Sequence, residues 1–119
     1  MKKYAFSRRS RLRLKKDFQA VFDAGHKVQT KDFVAWFQHI GMPSKYGLMV
    51  SKKTGGAVRR NAIKRLLREA IRLTQNKFME GIRIIIYPKA DCAIYNLGDA
   101  INAVEKLMIK AGLLGNNKE

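Results

Sequence analysis

The segment AVRRNAIKRLLREAIR, residues 57–72, has the clearest helical pattern of the chain and carries six basic residues against one acid. At about 100° per residue its apolar side chains fall on one half of the helix and its basic side chains on the other. The apolar half holds Ala62, Ile63, Leu66, Leu67 and Ala70. The opposite half, here called the basic stripe, holds Asn61, Lys64, Arg65, Arg68 and Arg72. A helix divided in this way needs a core to cover its apolar half.

The other elements are predicted around this helix from the same kinds of pattern. Strands are expected at 26–30, 32–40, 46–52 and 82–87, and further helices at 17–24 and 96–111. Alternation in the second strand puts Phe33, Ala35 and Phe37 on one face and Trp36 on the other, and both faces are apolar enough to be covered. The order predicts an α+β fold, an α/β sandwich with a four-stranded mixed sheet, three helices and one βαβ unit.

The chain length predicts one domain spanning residues 1–119. The first residues, about 1–14, are too basic to pack as a unit and are expected to form an arm that orders on its partner. The last residues, about 113–119, follow the stop signal Gly112 and are expected to fray.

The charge of the chain is strongly positive and is organised in two blocks. Twenty-five Lys and Arg against nine Asp and Glu give a net charge of +16. Residues 1–16 and 52–72 each contain eight of the basic residues. Within the basic stripe, like charges at i, i+4 repel, and a bound polyanion would remove that repulsion. Arginine outnumbers lysine there, which favours bidentate contact with phosphates, and Thr54-Gly55-Gly56 leaves backbone amides for anions at the helix start.

Several classes of function are disfavoured by the composition. Cys92 is the single cysteine, and no Cys/His cluster has zinc-ligand spacing. The nine acids are scattered singly, so a nuclease that holds its own metal ions is not expected. No apolar run has the length of a signal peptide core or a membrane helix, so we expect a cytoplasmic protein.

The kind of polyanion is narrowed by the aromatic residues. A membrane helix would need the apolar half that the core uses, and nothing resembles a helix-turn-helix pair for the major groove of DNA. Aromatic side chains on a sheet face and a short helix suit stacking on unpaired bases, which favours RNA or single strands. Tyr87 and Tyr95 belong to no motif.

The run SKKTGGAVRRNAIKRLLREAIR, residues 51–72, closely resembles the signature of the bacterial ribonuclease P protein family. The match is a strand ending in Ser-Lys-Lys, a Gly-containing turn and a basic helix, and it falls on Arg60, Asn61, Lys64, Arg65 and Arg68. Upstream, RLRLKKDFQAVFDAGHKV looks like the first helix of the same family. The similarity continues more weakly through GIRIIIYP to the final helix.

The resemblance implies a protein subunit that binds a catalytic RNA and the 5′ leader of precursor tRNA, with one protein for each catalytic RNA. The holoenzyme is an endonuclease that removes the leader by Mg²⁺-dependent hydrolysis. The RNA carries that chemistry, so no catalytic residue and no metal site are expected on the protein. The family fold also implies a left-handed βαβ crossover, against the general right-handed preference.

The resemblance also assigns two groups of site residues. Those implied to bind the catalytic RNA are Lys52, Lys53, Arg59, Arg60, Asn61, Lys64, Arg65, Arg68 and Arg72. Those implied to line the cleft for the precursor-tRNA leader are Arg11, Arg13, Lys15, Phe18, Phe22, Trp36 and Ser51. Trp36 stands where the family often has tyrosine, and Leu14 replaces an expected basic residue, for which Arg13 or Lys15 could substitute. For Phe18 and Phe22, ordinary core packing is an equal alternative.

A second hypothesis follows from the same basic helix. A structural RNA-binding protein, such as a ribosomal protein or an RNA chaperone, would carry an equivalent surface without a role in cleavage. Stimulation of a ribonuclease P RNA by the protein distinguishes the two.

Overall fold

A four-stranded sheet and three helices make up the described part of the chain, which is residues 15–41 and 43–115 of a computed structural model. The helices are α1 (Lys15–Ala24), α2 (Ala57–Thr74) and α3 (Leu97–Ala111), and the strands are β1 (His26–Gln29), β2 (Phe33–His39), β3 (Lys45–Leu48) and β4 (Ile82–Pro88). Short 3₁₀ turns span Lys52–Thr54 and Gln75–Lys77. The predicted α+β class, with its three helices and four strands, is confirmed.

The sheet is mixed and has the strand order β1-β2-β4-β3. β2 pairs antiparallel with both β1 and β4, whereas β3 pairs parallel with β4. The predicted βαβ unit is therefore β3-α2-β4, and its left-handed crossover stays a prediction. β4 lies inside the sheet between β2 and β3, and its four isoleucines are fully buried, which fits a strand covered on both faces.

The main core lies between one face of the sheet and the helices α2 and α3. The predicted alternation in β2 is confirmed, since Phe33, Ala35 and Phe37 belong to this core. The facing side chains of α2 include Ile63, Leu67, Ala70 and Ile71, all fully buried. Each buried Leu or Ile contributes about 1.5–3 kcal/mol relative to an exposed side chain, so the core fixes which half of α2 faces solvent.

The opposite face of the sheet is covered by α1. Val21 of α1 is fully buried against Ile85 of β4. Nη1 of Arg83 lies 3.3 Å from Oδ1 of Asp17, and this ion pair ties the start of α1 to β4. α1 covers only part of this face, which leaves the region around Trp36 half-buried.

The end of α1 lies unusually close to β2 at Gly25. The amide of Gly25 donates to the carbonyl of Val21 at 2.7 Å and closes the helix. A Cβ atom at Gly25 would lie 2.4 Å from the Val21 oxygen and 2.8 Å from the Phe37 oxygen. Because both neighbours are backbone atoms, only glycine fits between α1 and β2 at this point.

Replacing Gly25 by alanine is expected to lower the free energy of unfolding by about 2–3 kcal/mol, since the added methyl group must push two backbone segments apart. Chemical denaturation measures the change. Gly98→Ala in α3 is the matched control, because a Cβ there would meet only the Asn96 side chain, at 3.3 Å. The control should stay within about 1 kcal/mol of the unchanged protein. Equal stabilities for Gly25→Ala and the unchanged protein would contradict the close packing of α1.

Two predicted boundaries are wrong. The third strand, predicted at 46–52, ends at Leu48, because Ser51 starts a 3₁₀ turn. In that turn Ser51 Oγ accepts a hydrogen bond from the Lys53 amide at 3.2 Å, and the Ser51 carbonyl accepts one from Thr54 Oγ1 at 2.7 Å.

The tail predicted to fray from about 113 is docked as far as residue 115. Leu113 is buried, and its carbonyl accepts from the Met79 amide at 2.6 Å. Residues 116–119 and the predicted arm, about 1–14, lie outside the described residues.

Candidate nucleic-acid interface

The two halves of α2 are separated in the structure as the helical pattern predicts. In the apolar half, Ile63, Leu67 and Ala70 are fully buried, while Ala62 and Leu66 are half-buried. In the basic stripe, Asn61 and Arg65 are exposed, and Lys64, Arg68 and Arg72 are half-buried. The core therefore holds the basic stripe toward solvent along about three turns of helix.

Glu69 is the acid within α2, and it pairs with Arg72. The Arg72 guanidinium donates from Nε to Glu69 Oε1 at 3.0 Å and from Nη2 to Glu69 Oε2. These bonds hold the pKa of the Glu69 carboxyl below its usual range. The pair neutralises the C-terminal end of the basic stripe and concentrates the positive charge toward its N-terminal part.

The start of α2 is shaped by the turn before it. Gly56 is the N-cap residue and makes no side-chain cap bond, while Gly55 has φ 142°, which favours glycine. Nη1 of Arg60 donates to the Gly55 carbonyl at 2.9 Å and stabilises the turn. Lys52 and Lys53 are exposed immediately upstream. The helix start thus combines uncapped amides with nearby cations, which favours an anion.

Arg59 differs from the other residues assigned to the catalytic RNA. Its Nη1 donates to the Ile94 carbonyl at 2.6 Å and its Nη2 to the Cys92 carbonyl at 3.2 Å. Its guanidinium carbon also lies 4.5 Å from the ring centroid of Tyr95. The Arg59 guanidinium is therefore used to hold the loop between β4 and α3, away from the basic stripe.

A cavity of about 290 Å³ opens on the sheet face that carries Trp36. We call it the cleft. Its walls are formed by strand residues, by two residues of the turn before α2 and by the residues that follow β4; they are Lys27, Val34, Trp36, Ser51, Lys53, Tyr87, Pro88, Lys89 and Ala90. All charged side chains in this lining are lysines. The cleft therefore offers aromatic surface and positive charge together, which suits a nucleotide.

The aromatic side chains near the cleft contact one another. The ring centroids of Trp36 and Phe22 are 4.9 Å apart in an edge-to-face arrangement, and those of Trp36 and Tyr87 are 6.5 Å apart. Nζ of Lys27 lies 5.8 Å from the Trp36 ring centroid. Such contacts hold the indole in place and leave part of it exposed.

The residues predicted for the leader cleft are only partly brought together. Trp36 and Ser51 line the cleft. Phe18 and Phe22 are half-buried on α1, where they pack against Val21 and Ile85 and do not line the cleft. Lys15 is exposed at the start of α1 and is also absent from this lining, and Arg11 and Arg13 lie outside the described residues.

Three further residues line the cleft that the sequence patterns did not predict as site residues: Lys27, Tyr87 and Lys89. The register pairs Val34 with Tyr87 and Trp36 with Ile85, so all four side chains share one sheet face. Alternation in β4 gives the same face once the pairing is known. The local sequence pattern does not predict that β2 pairs with a strand about fifty residues later in the chain.

Within residues 15–41 and 43–115, no group of three or more His, Cys, Asp or Glu is arranged to hold a metal ion. The helices of this same part of the chain are all too short or too polar to cross a membrane.

A cationic helix face joined by a short turn to an aromatic, lysine-lined cleft defines a protein of the RNA-binding class. The family model named Ribonuclease P matches residues 6–112, and the chain belongs to the ribonuclease P protein family.

Individual relatives agree with this assignment. The chain is 38% identical over 86 residues to the ribonuclease P protein component of Thermotoga petrophila, covering 71% of this chain and 74% of that protein. It is 31% identical over 112 residues to the same component of Syntrophus aciditrophicus, covering 92% and 93%.

Solved structures agree as well. The Staphylococcus aureus RNase P protein superposes with a TM-score of 0.78 at 28% identity, covering 89% of this chain and 98% of that one. The Thermotoga maritima RNase P protein superposes with a TM-score of 0.73 at 31% identity, covering 82% and 94%.

Proposed function

We propose that this chain binds the catalytic RNA of ribonuclease P through α2 and the 5′ leader of precursor tRNA through the cleft, and thereby aids endonucleolytic removal of the leader. One observation carries the proposal. Ser51 and Lys53 line the cleft, and the chain reaches the first turn of α2 within a few residues of them. Two RNA strands bound on the two surfaces would therefore meet at a fixed position.

The contacts with the catalytic RNA are assigned to the basic stripe and the turn before it. Arginine presents a planar fork that matches phosphate oxygens, so Arg65 and Arg68 suit bidentate contacts. Lys52, Lys53 and the uncapped amides at Gly56 extend the surface around the helix start. These groups bind the sugar-phosphate backbone and need no base sequence.

The contacts with the leader are assigned to the cleft. Trp36 and Tyr87 present ring surface on which an unpaired base can stack, and Lys27 and Lys89 of the lining can neutralise its phosphates. The leader is single-stranded, so its bases are available for stacking, whereas the bases of the paired tRNA stem are not.

The protein is assigned no catalytic group. Five of the eight described carboxylates are used in ion pairs or in contacts with backbone amides: Asp17 pairs with Arg83, Glu69 with Arg72 and Glu105 with Lys77, while Asp32 and Asp99 accept hydrogen bonds from backbone amides. This donor set does not fit a metal centre on the protein, so Mg²⁺ is assigned to the RNA. Bound there, it would activate water and stabilise the leaving oxygen. The protein positions the substrate and screens phosphate repulsion.

Two further parts of the proposal concern assembly and location. We assign one protein to each catalytic RNA, because the basic stripe and the cleft of residues 15–41 and 43–115 account for one RNA and one leader. The proposed site of action is the cytoplasm.

Reconstitution tests the proposal. The protein is mixed with a bacterial ribonuclease P RNA and a precursor tRNA at low Mg²⁺, and leader release is followed against RNA alone. We expect marked stimulation, because the protein's cations replace part of the charge screening that Mg²⁺ would otherwise supply. Binding of the RNA without any stimulation would contradict the proposal and favour a structural RNA-binding protein instead. A preparation whose unfolding curve is cooperative serves as the control for folding.

A further inference from the structure

Tyr95 is an exposed aromatic residue in the loop that joins β4 to α3. Its exposed fraction is 71%, although it lies directly beside the first turn of α2. The Arg59 guanidinium covers one face of its ring at 4.5 Å, so the opposite face is left to solvent. A guanidinium on one face of a phenol ring is a favourable cation–π contact and holds the ring flat against the protein.

The ring is mounted rigidly. Arg59 is itself fixed by its bonds to the carbonyls of Cys92 and Ile94, two buried residues of the same loop. The Tyr95 amide donates to Asp99 Oδ2 at 3.0 Å, and the Asp99 amide donates to Asn96 Oδ1 at 2.8 Å at the start of α3. Little conformational entropy is therefore lost when a ligand stacks on Tyr95.

The position of this pair relates it to both RNA-binding surfaces. The loop begins with Lys89 and Ala90, which line the cleft, and ends with Tyr95. Arg59 belongs to the first turn of α2, which follows the Lys52–Thr54 turn. The pair lies where the chain passes from the cleft to the helix, on a protein of net charge +16.

We infer that the Arg59–Tyr95 pair is a platform that binds an unpaired RNA nucleobase by stacking on the open face of Tyr95. The inference rests on the proposed function, since the RNA is the one held by α2 or by the cleft. A base of the catalytic RNA and a base of the precursor tRNA present the same ring chemistry, and the experiment separates them. Arg59 is a positioning residue here, because its guanidinium orients the ring.

The test compares Tyr95→Ala and Tyr95→Phe with Ile109→Ala, a control that truncates another exposed side chain, 61% exposed on α3. Kd is measured for a bacterial ribonuclease P RNA, and then for precursor and mature tRNA on the assembled holoenzyme. Tyr95→Ala should weaken one of these interactions about tenfold, or about 1.4 kcal/mol, as expected for one stacked base. Tyr95→Phe should leave each Kd within about twofold, because the phenyl ring keeps the stacking surface. Ile109→Ala should also leave each Kd within about twofold, because it leaves the Tyr95 ring unchanged.

The arms of the experiment identify the base. Loss of affinity for the RNA alone assigns the base to the catalytic RNA, and a loss restricted to precursor tRNA assigns it to the precursor. If Tyr95→Ala leaves every affinity within about twofold while the unchanged protein still stimulates cleavage, the platform is overturned and the proposed function stands. If the unchanged protein fails to stimulate cleavage, the proposed function has failed, whatever Tyr95 does for affinity.

The role of Arg59 is tested by combining substitutions. Arg59→Lys keeps the charge but removes the forked contact with the two carbonyls. It should therefore weaken RNA binding when Tyr95 is present, and it should cause no further loss of affinity when combined with Tyr95→Ala. Additive losses in the double variant would mean that Arg59 contacts phosphate directly, and they would overturn its positioning role. Thermal midpoints of the four proteins show whether the loop stays folded.

Discussion

Replacing Arg65 and Arg68 together by alanine is expected to weaken binding of a bacterial ribonuclease P RNA about a hundredfold near physiological salt. Both side chains belong to the basic stripe, and the core holds that side of α2 outward. Each lost guanidinium removes a charge-assisted contact with phosphate of roughly 1.5 kcal/mol, so the pair removes about 3 kcal/mol, which corresponds to the hundredfold change. Filter binding or fluorescence anisotropy measures the Kd, and the thermal midpoint shows whether the fold is kept.

The salt dependence of the same binding gives a second readout. If about five phosphates are neutralised, a fourfold rise in salt should weaken the unchanged protein a few hundredfold, and the double variant, with about three, only about fortyfold. Lys106→Ala with Lys110→Ala removes two exposed charges from α3 and should keep the original slope. A flat response of the unchanged protein, or equal slopes for it and the Arg65/Arg68 variant, would count against phosphate contacts by the basic stripe.

Trp36→Ala is expected to reduce the holoenzyme's affinity for precursor tRNA about thirtyfold while leaving its affinity for mature tRNA nearly unchanged. Trp36 lines the cleft and is held beside Phe22 and Tyr87. Loss of one stacked base accounts for roughly 1–3 kcal/mol, and the mature tRNA has no leader to lose. Binding of both tRNAs to the assembled holoenzyme measures the ratio.

Two controls accompany this variant. Trp36→Tyr should restore the ratio to within about threefold, because tyrosine also offers a stacking surface. Phe22→Leu removes an aromatic ring that packs beside Trp36 outside the cleft lining, so it should lower the thermal midpoint while the ratio stays close to that of the unchanged protein. Equal losses for the two tRNAs in Trp36→Ala would remove Trp36 from the leader site.

The parts of the fold that depend on local periodicity were predictable from the sequence. The two halves of α2 follow from a 3.6-residue repeat, and the faces of β2 from a two-residue repeat. The two ends of α3 were also predictable, because each is occupied by a residue type that favours such a position. The Asn96 side chain accepts a hydrogen bond from the Asp99 amide at the start of the helix, and Gly112 has φ 73° at its end.

The parts that depend on long-range contacts were not predictable in the same way. Tyr87 enters the cleft because β4 lies beside β2, and Arg59 leaves the basic surface because the carbonyls of Cys92 and Ile94 lie within reach. The family signature makes Arg59 look like its neighbours Arg60 and Arg65. Only the folded loop shows that both terminal nitrogens of its guanidinium already donate to backbone carbonyls.

The central place of β4 in the sheet also sets the order in which the protein can become functional during synthesis. In the described part of the chain, β4 is the sole sheet neighbour of β3. β2 likewise has no hydrogen-bonding partner on its inner edge until β4 has been made. The ribosome therefore completes the whole RNA-binding signature before it makes the strand against which that helix packs. A nascent chain or excised peptide that stops short of Ile82 would carry every charge of the basic stripe without the scaffold that aligns them.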